Sequence, residues 1–140
     1  MPEIEHEIKI NETPQKVFAA LTTADGLKSW YSAHVEGDGT PGHEWRFQFT
    51  ERPTFRWEVT ESTAPTRVAW RCTEGPGDSV GTEVAVQLSP ADPGGTLVEL
   101  AHSGWPGTDG NYRKCNTYWG VLLYHLKQYA ETGVARPAFE

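Results

Sequence analysis

Residues 109–132 read DGNYRKCNTYWGVLLYHLKQYAET, and the spacing of apolar residues in this stretch decides the architecture. Tyr112, Cys115, Trp119, Leu122, Leu126 and Tyr129 recur in alternating steps of three and four, which aligns them in one stripe along an α-helix. Tyr118, Leu123 and His125 widen the stripe, while Arg113, Thr117, Lys127, Gln128 and Glu131 form the wet face. Thr108 or Asp109 is placed to cap the start, and Gly133 follows the end as a C-cap. Such a helix has about six turns and is roughly 33 Å long. Steps of three and four also suit a coiled coil. Here only about three heptads exist, the apolar face exceeds an a/d seam and flanking charges are sparse, so packing against a sheet is the better reading.

Working outward, the rest of the chain changes period from helical to two. Ile4, His6, Ile8 and Ile10 alternate with charged residues as a half-buried strand, with His6 on the isoleucine face. Thr13-Pro14 opens a short helix with Val17, Phe18, Ala20 and Leu21 inside, ending near Thr22-Thr23. Asp25-Gly26 breaks that pattern, and Leu27 and Trp30 mark another turn or two. Six strands follow. The first covers about residues 32–36, and the next holds Trp45, Phe47 and Phe49. Then come strands with Phe55, Trp57 and Val59, with Val68, Trp70 and Cys72, with Val84, Val86 and Leu88, and with Val98, Leu100 and His102. Turns are expected at GDGTPG (residues 37–42), Glu51-Arg52-Pro53, Ala64-Pro65, residues 74–81 and residues 90–95. The terminal ARPAFE reads as a loose tail. The sum is an α+β fold in one domain, residues 1–140: a curved antiparallel sheet of about seven strands around the C-terminal helix, with two short helices after strand one.

Composition bounds the function. A chain of 140 residues buries about 68–70% of its unfolded surface and needs no staples. The net charge of −7, without a basic patch, speaks against nucleic acid and anionic membranes. No run of ~18 apolar residues is present to span a bilayer. The acidic, alternating start is unlike a signal peptide, and Cys72 and Cys115 read as reduced thiols, so the expected location is cytoplasmic. Six Trp, five Tyr and five Phe are many bulky rings for this length, which points to a cavity or groove.

The order strand, two helices, six strands, long helix resembles the helix-grip fold of the START-like (SRPBCC) superfamily. Local strings are similar to the branch named for activators of heat-shock protein 90 ATPase: TPQKVFAALT (13–22), LKSW (27–30), WEV (57–59), VAW (68–70), GTLVELAHSGW (95–105) and the ending from Cys115 through Trp119-Gly120-Val121-Leu122-Leu123 to Gly133. The resemblance implies a cavity between sheet and long helix that holds a hydrophobic small molecule such as a lipid, polyketide or aromatic. It also implies two alternatives: a cyclase- or hydrolase-like enzyme, and a chaperone-interacting regulator. A homodimer is compatible with it.

The residues expected to line the cavity are Phe47, Trp57, Trp70, His102, Cys115, Tyr118, Trp119 and Leu122. In the helix-grip order the first and last strands pair, so His6 and His102 are candidates for a polar cluster with Cys115 or Tyr112, and an enzyme reading would use one of them as a base. No HxH, HExxH or CxxC spacing occurs, so neither metal nor cofactor is expected. GDGTPG lacks the ending of a phosphate-binding loop and reads as a turn.

Overall fold

A computed structural model describes residues 2–140. Strand β1 (Ile4–Ile10) is followed by helices α1 (Pro14–Thr22) and α2 (Ala24–Trp30). Strands β2 (His34–Gly37), β3 (Glu44–Phe49), β4 (Arg52–Thr63), β5 (Arg67–Glu74), β6 (Glu83–Ala91) and β7 (Gly95–Ser103) lead to α3 (Asn111–Thr132). The strands form one seven-stranded antiparallel sheet in the order β1-β7-β6-β5-β4-β3-β2. The meander accounts for five neighbouring pairs, and β1 closes onto β7 with Ile8 opposite Val98. This is the helix-grip arrangement read from the sequence.

Period-two patterning sets which face is buried. Val84, Val86 and Leu88 of β6 and Val98, Leu100 and His102 of β7 point inward, as do Trp45, Phe47, Trp57, Val59, Val68 and Trp70. On the α3 side, Trp119, Leu122, Leu123 and Leu126 meet them. Gly133 ends α3 in the left-handed conformation at φ 74°, and its N–H bonds the Tyr129 carbonyl.

Five details differ from the sequence reading. The start of α3 is not capped by Thr108 or Asp109: Gly110 holds the N-cap position at φ 64°, with no side-chain cap bond. An added Cβ at Gly110 would lie 3.4 Å from the Asp78 carboxylate, so an acid from the β5–β6 connection stands at the positive end of the helix. Asp25-Gly26 does not break a helix but sits in the first turn of α2, where the Thr23 hydroxyl accepts from Gly26 N–H at 3.0 Å. Glycine is required there, since a Cβ would come within 2.7 Å of Ala20 backbone atoms. The β3–β4 turn falls at Thr50-Glu51, with Glu51 at φ 60°, so Arg52 and Pro53 belong to β4. Pro90 and Ala91 extend β6, pairing with Thr96 and Gly95. The β5 pairing ends at Gln87, opposite Arg67, with one more bond from Leu88 N–H to Thr66 O, so the missing N–H of Pro90 leaves no ladder bond broken.

The largest difference is the tail. ARPAFE is tied down: Arg136 N–H bonds Ser29 O, Ala138 N–H bonds Trp30 O, Phe139 N–H bonds Tyr31 O, and Ala33 N–H bonds Phe139 O. A further bond from Thr50 N–H to Glu140 O straps the tail to the β3–β4 turn. The physical reason is Phe139, whose ring packs against Tyr31, Phe49 and Tyr118 at centroid distances of 6.5, 5.4 and 5.4 Å.

Candidate functional site

Between the sheet and the N-terminal half of α3 lies a cavity of about 210 Å³. The inner face of β4 supplies Phe55 and Trp57, and β7 supplies His102. Helix α3 supplies Asn111, Lys114, Cys115, Tyr118, Trp119 and Leu122, with Tyr31 from the end of α2 and Phe139 from the tail. The helical steps 111, 115, 118, 122 explain why one face of α3 can form a wall. Of the residues named from sequence, Trp57, His102, Cys115, Tyr118, Trp119 and Leu122 come together around this space. Phe47 and Trp70 do not line it. Tyr31 covers Phe47, its ring 4.3 Å away, and Trp70 packs behind Phe47 and Trp57 at 6.3 and 6.1 Å. Both are fully buried core.

The sequence reading missed Tyr31, Phe49, Arg52, Phe55, Lys114 and Phe139. For Phe49 and Phe55 the signal was present in the strand alternation of Trp45-Phe47-Phe49 and Phe55-Trp57. Tyr31 falls where the period changes from helix to strand, Arg52 in an expected turn and Phe139 in an expected loose tail, where periodicity carries no information.

His102 is 1% exposed and enclosed by the rings of Trp57, Trp105 and Trp119, at 5.7, 4.6 and 6.1 Å. Its proton position follows from its partners. Trp119 Nε1–H can only donate, so His102 Nδ1 accepts at 3.0 Å. Thr82 donates its own proton to Ser79 O at 2.6 Å, so His102 Nε2–H donates to Thr82 Oγ1 at 2.8 Å. Burial pulls the His102 pKa down to about 3, and the ring is neutral. A neutral imidazole whose single acceptor site is filled by an indole N–H is a structural spacer and offers no lone pair to a substrate.

His6 does not join it. In the β1–β7 register His6 stands opposite Leu100, and Ile4 opposite His102. His6 Nε2 bonds Asn116 Oδ1 at 2.9 Å, and Tyr112 turns its hydroxyl to Glu3 O at 3.3 Å. The polar cluster of His6 and His102 with Cys115 or Tyr112 expected from sequence is therefore not formed. Cys72 and Cys115 are both free. Burial raises the Cys115 thiol to about 11 and the Cys72 thiol to about 12, so both are protonated at neutral pH. Among the described residues, no group of three His, Cys, Asp or Glu side chains is placed to hold a metal ion. No helix there is long and apolar enough to cross a membrane.

Two polar features remain inside the cavity wall. Tyr31 is 5% exposed, and no described residue bonds its hydroxyl with good geometry. Trp57 Nε1–H, in the same wall, is buried without a hydrogen-bond partner among the described residues. At the mouth, Arg52 Nη1 donates to Tyr118 Oη at 2.8 Å, and its guanidinium lies 5.2 Å from the Tyr118 ring centre and 5.0 Å from that of Phe139.

Residues 11–131 match the family described as activator of Hsp90 ATPase homolog 1-like protein. The chain belongs to that family. The Aha1 dimer of Colwellia psychrerythraea, solved in solution, is 35% identical and superposes with a TM-score of 0.86 over 95% of this chain and 98% of that one. Protein BH1534 of Bacillus halodurans is 24% identical, with a TM-score of 0.74 over 94% of this chain and 98% of that one. CalU16 of Micromonospora echinospora is 19% identical, with a TM-score of 0.73 over 91% of this chain and 73% of that one. The last two likenesses are of fold. No curated protein sequence matches this family member.

Proposed function

We propose that this protein binds a small, ring-shaped hydrophobic molecule in the cavity between β4, β7 and α3. The observation that carries the reading is a space of about 210 Å³ lined by seven aromatic rings, from Tyr31, Phe49, Phe55, Trp57, Tyr118, Trp119 and Phe139, over the buried core. An apolar cavity of about 150 Å³ is enough to hold benzene. The space here therefore suits one ring or a fused pair, and it is too small for a sterol or a long acyl chain. Binding without chemical change is favoured over the enzyme alternative because His102 has no free lone pair and Cys115 is held as the thiol. The two free thiols support a cytoplasmic location.

The test is a thermal-shift series with neutral probes of increasing size. At a hundred times its dissociation constant, a one- or two-ring probe should add about 2.7 kcal/mol and raise Tm by roughly 5–10 °C. A cholesterol analogue should give no shift. Absence of any shift with the small probes would overturn the binding reading.

A homodimer is the second reading. The 35% identical Colwellia relative is described as a dimer, and Val121 and Tyr124, 45% and 55% exposed, put apolar surface on the outer side of α3. Sedimentation at micromolar concentration should give twice the chain mass, and a monomer mass would contradict it.

A further inference from the structure

We propose that the occupant of this cavity is an aromatic anion, a one- or two-ring carboxylate with its ring among the aromatic walls and its charge at the mouth between Arg52 and Lys114. The inference rests on the cavity being a binding site and specifies what it selects.

The argument begins with charge. The chain carries 19 acids against 12 bases, yet the charged residues that line the cavity are Arg52 and Lys114, both cationic, with no carboxylate among the lining residues. Elsewhere six bases pair with acids, Lys16 with Glu12, Arg46 with Glu36, Arg56 with Glu74, Arg67 with Glu61, Arg71 with Glu58 and Lys127 with Glu131, while Lys9, Lys28, Arg113 and Arg136 make no ion pair among the described residues but stand apart from the cavity lining. Among the described residues, neither Arg52 nor Lys114 makes an ion pair. Two unpaired cations at one opening of an acidic protein create a local field that favours an anion.

Geometry adds the second point. Arg52 is not free to swing, because the Tyr118 hydroxyl and the Phe139 ring hold its guanidinium. That one bond uses one of five N–H donors, and the rest keep the fork that suits a carboxylate. Asp78, the acid near this end of α3, is engaged by Asn111 Nδ2 at 2.9 Å and stands outside the cavity lining. Deeper in, the Tyr31 hydroxyl and the Cys115 thiol are both protonated and able to donate, so a polar substituent on the ring would be met as an acceptor. A cationic ligand would meet Arg52 and Lys114 as like charges at the mouth.

The experiment compares 1-naphthoate with its neutral isostere 1-naphthamide by calorimetry, on the wild-type chain, on Arg52→Gln/Lys114→Gln and on Lys114→Glu. The readout is the ratio of the two affinities in each protein, which cancels any general loss of the pocket. On the wild type the carboxylate should bind at least tenfold more tightly than the amide, and the ratio should shrink with added salt. In the double variant the ratio should approach one, and in Lys114→Glu it should fall below the wild-type value. Equal affinities on the wild type would overturn the anion proposal while leaving the cavity as a neutral-ring site. A preference that persists in the double variant would also overturn it, because the charge would then be read elsewhere. If neither probe binds, the binding reading itself fails along with the proposal.

Discussion

The two halves of the space between sheet and long helix are built from different side chains, and only one half is full. On the β1-β7-β6 side, Ile4, Ile10, Val86, Leu88, Val98 and Leu100 meet Val17 and Leu21 of α1 and Leu126 of α3, all buried. Branched aliphatic side chains of modest size interdigitate and leave little void. On the β3-β4 side, Tyr31, Phe49, Phe55, Trp57, Tyr118, Trp119 and Phe139 meet as rings in edge-on pairs, with Phe55 stacked on Trp57 and Tyr31 on Phe49. Flat rigid plates at such angles enclose space rather than fill it. The lesson is that one continuous core can stabilise the fold with its aliphatic half and hold a cavity with its aromatic half.

This contrast can be broken by mutation. The largest effect is expected in the filled half, where Leu126→Ala should cost about 2–5 kcal/mol in chemical denaturation. At the cavity wall, half-buried Tyr118→Ala should cost less than half as much while removing the partner of Arg52. Equal costs at the two positions would contradict the division.

His102 sits where the halves meet, and its effect depends on pH. Its folded-state pKa of about 3 lies below the ordinary 6.5, so between these values the unfolded chain binds the proton and the folded chain does not. Stability should therefore be fully present above pH 6.5 and fall, by up to about 1.4 kcal/mol per pH unit, as the pH drops toward 3. His102→Leu should lose about 1–3 kcal/mol at pH 7 by orphaning Trp119 Nε1–H, and should flatten the slope between pH 6.5 and 5. An unchanged slope would mean that other groups carry it.

A smaller effect is expected at the tail. Removing the half-buried Phe139 ring as Phe139→Ala should cost about 1–2 kcal/mol and speed ligand release in stopped-flow measurements. A release rate equal to wild type would separate the tail from the cavity. The smallest expected effect is at Cys115. Its alkylation at neutral pH should be slow, rise about tenfold per pH unit toward 11, and slow further with the cavity occupied. Rapid labelling at pH 7 would show that the thiol is not held as described.

The filled half was legible in the sequence because it is periodic: β1, β6, β7 and the stripe of α3 all announce their buried face. The cavity was legible in part. Trp57, Cys115, Tyr118, Trp119 and Leu122 lie on periodic elements, and so does His102, whose partners Thr82 and Trp119 the sequence could not supply. Phe47 and Trp70 obey the same periodicity, but whether an inward ring reaches the cavity or lies one layer behind it depends on what covers it, and Tyr31 covers Phe47. Arg52 and Phe139 stayed hidden because their positions depend on a turn at Glu51 and on backbone bonds between residues far apart in the chain.

The most direct test of the central claim follows the indole N–H resonances of the six tryptophans while 1-naphthamide is added. The cavity account predicts that the Trp57 and Trp119 signals shift and saturate together. The Trp30 signal, whose N–H is bonded to Ala20 O at 2.8 Å away from the cavity, should stay in place. Movement of Trp30 alone, or no movement at all up to the probe's solubility, would contradict the account.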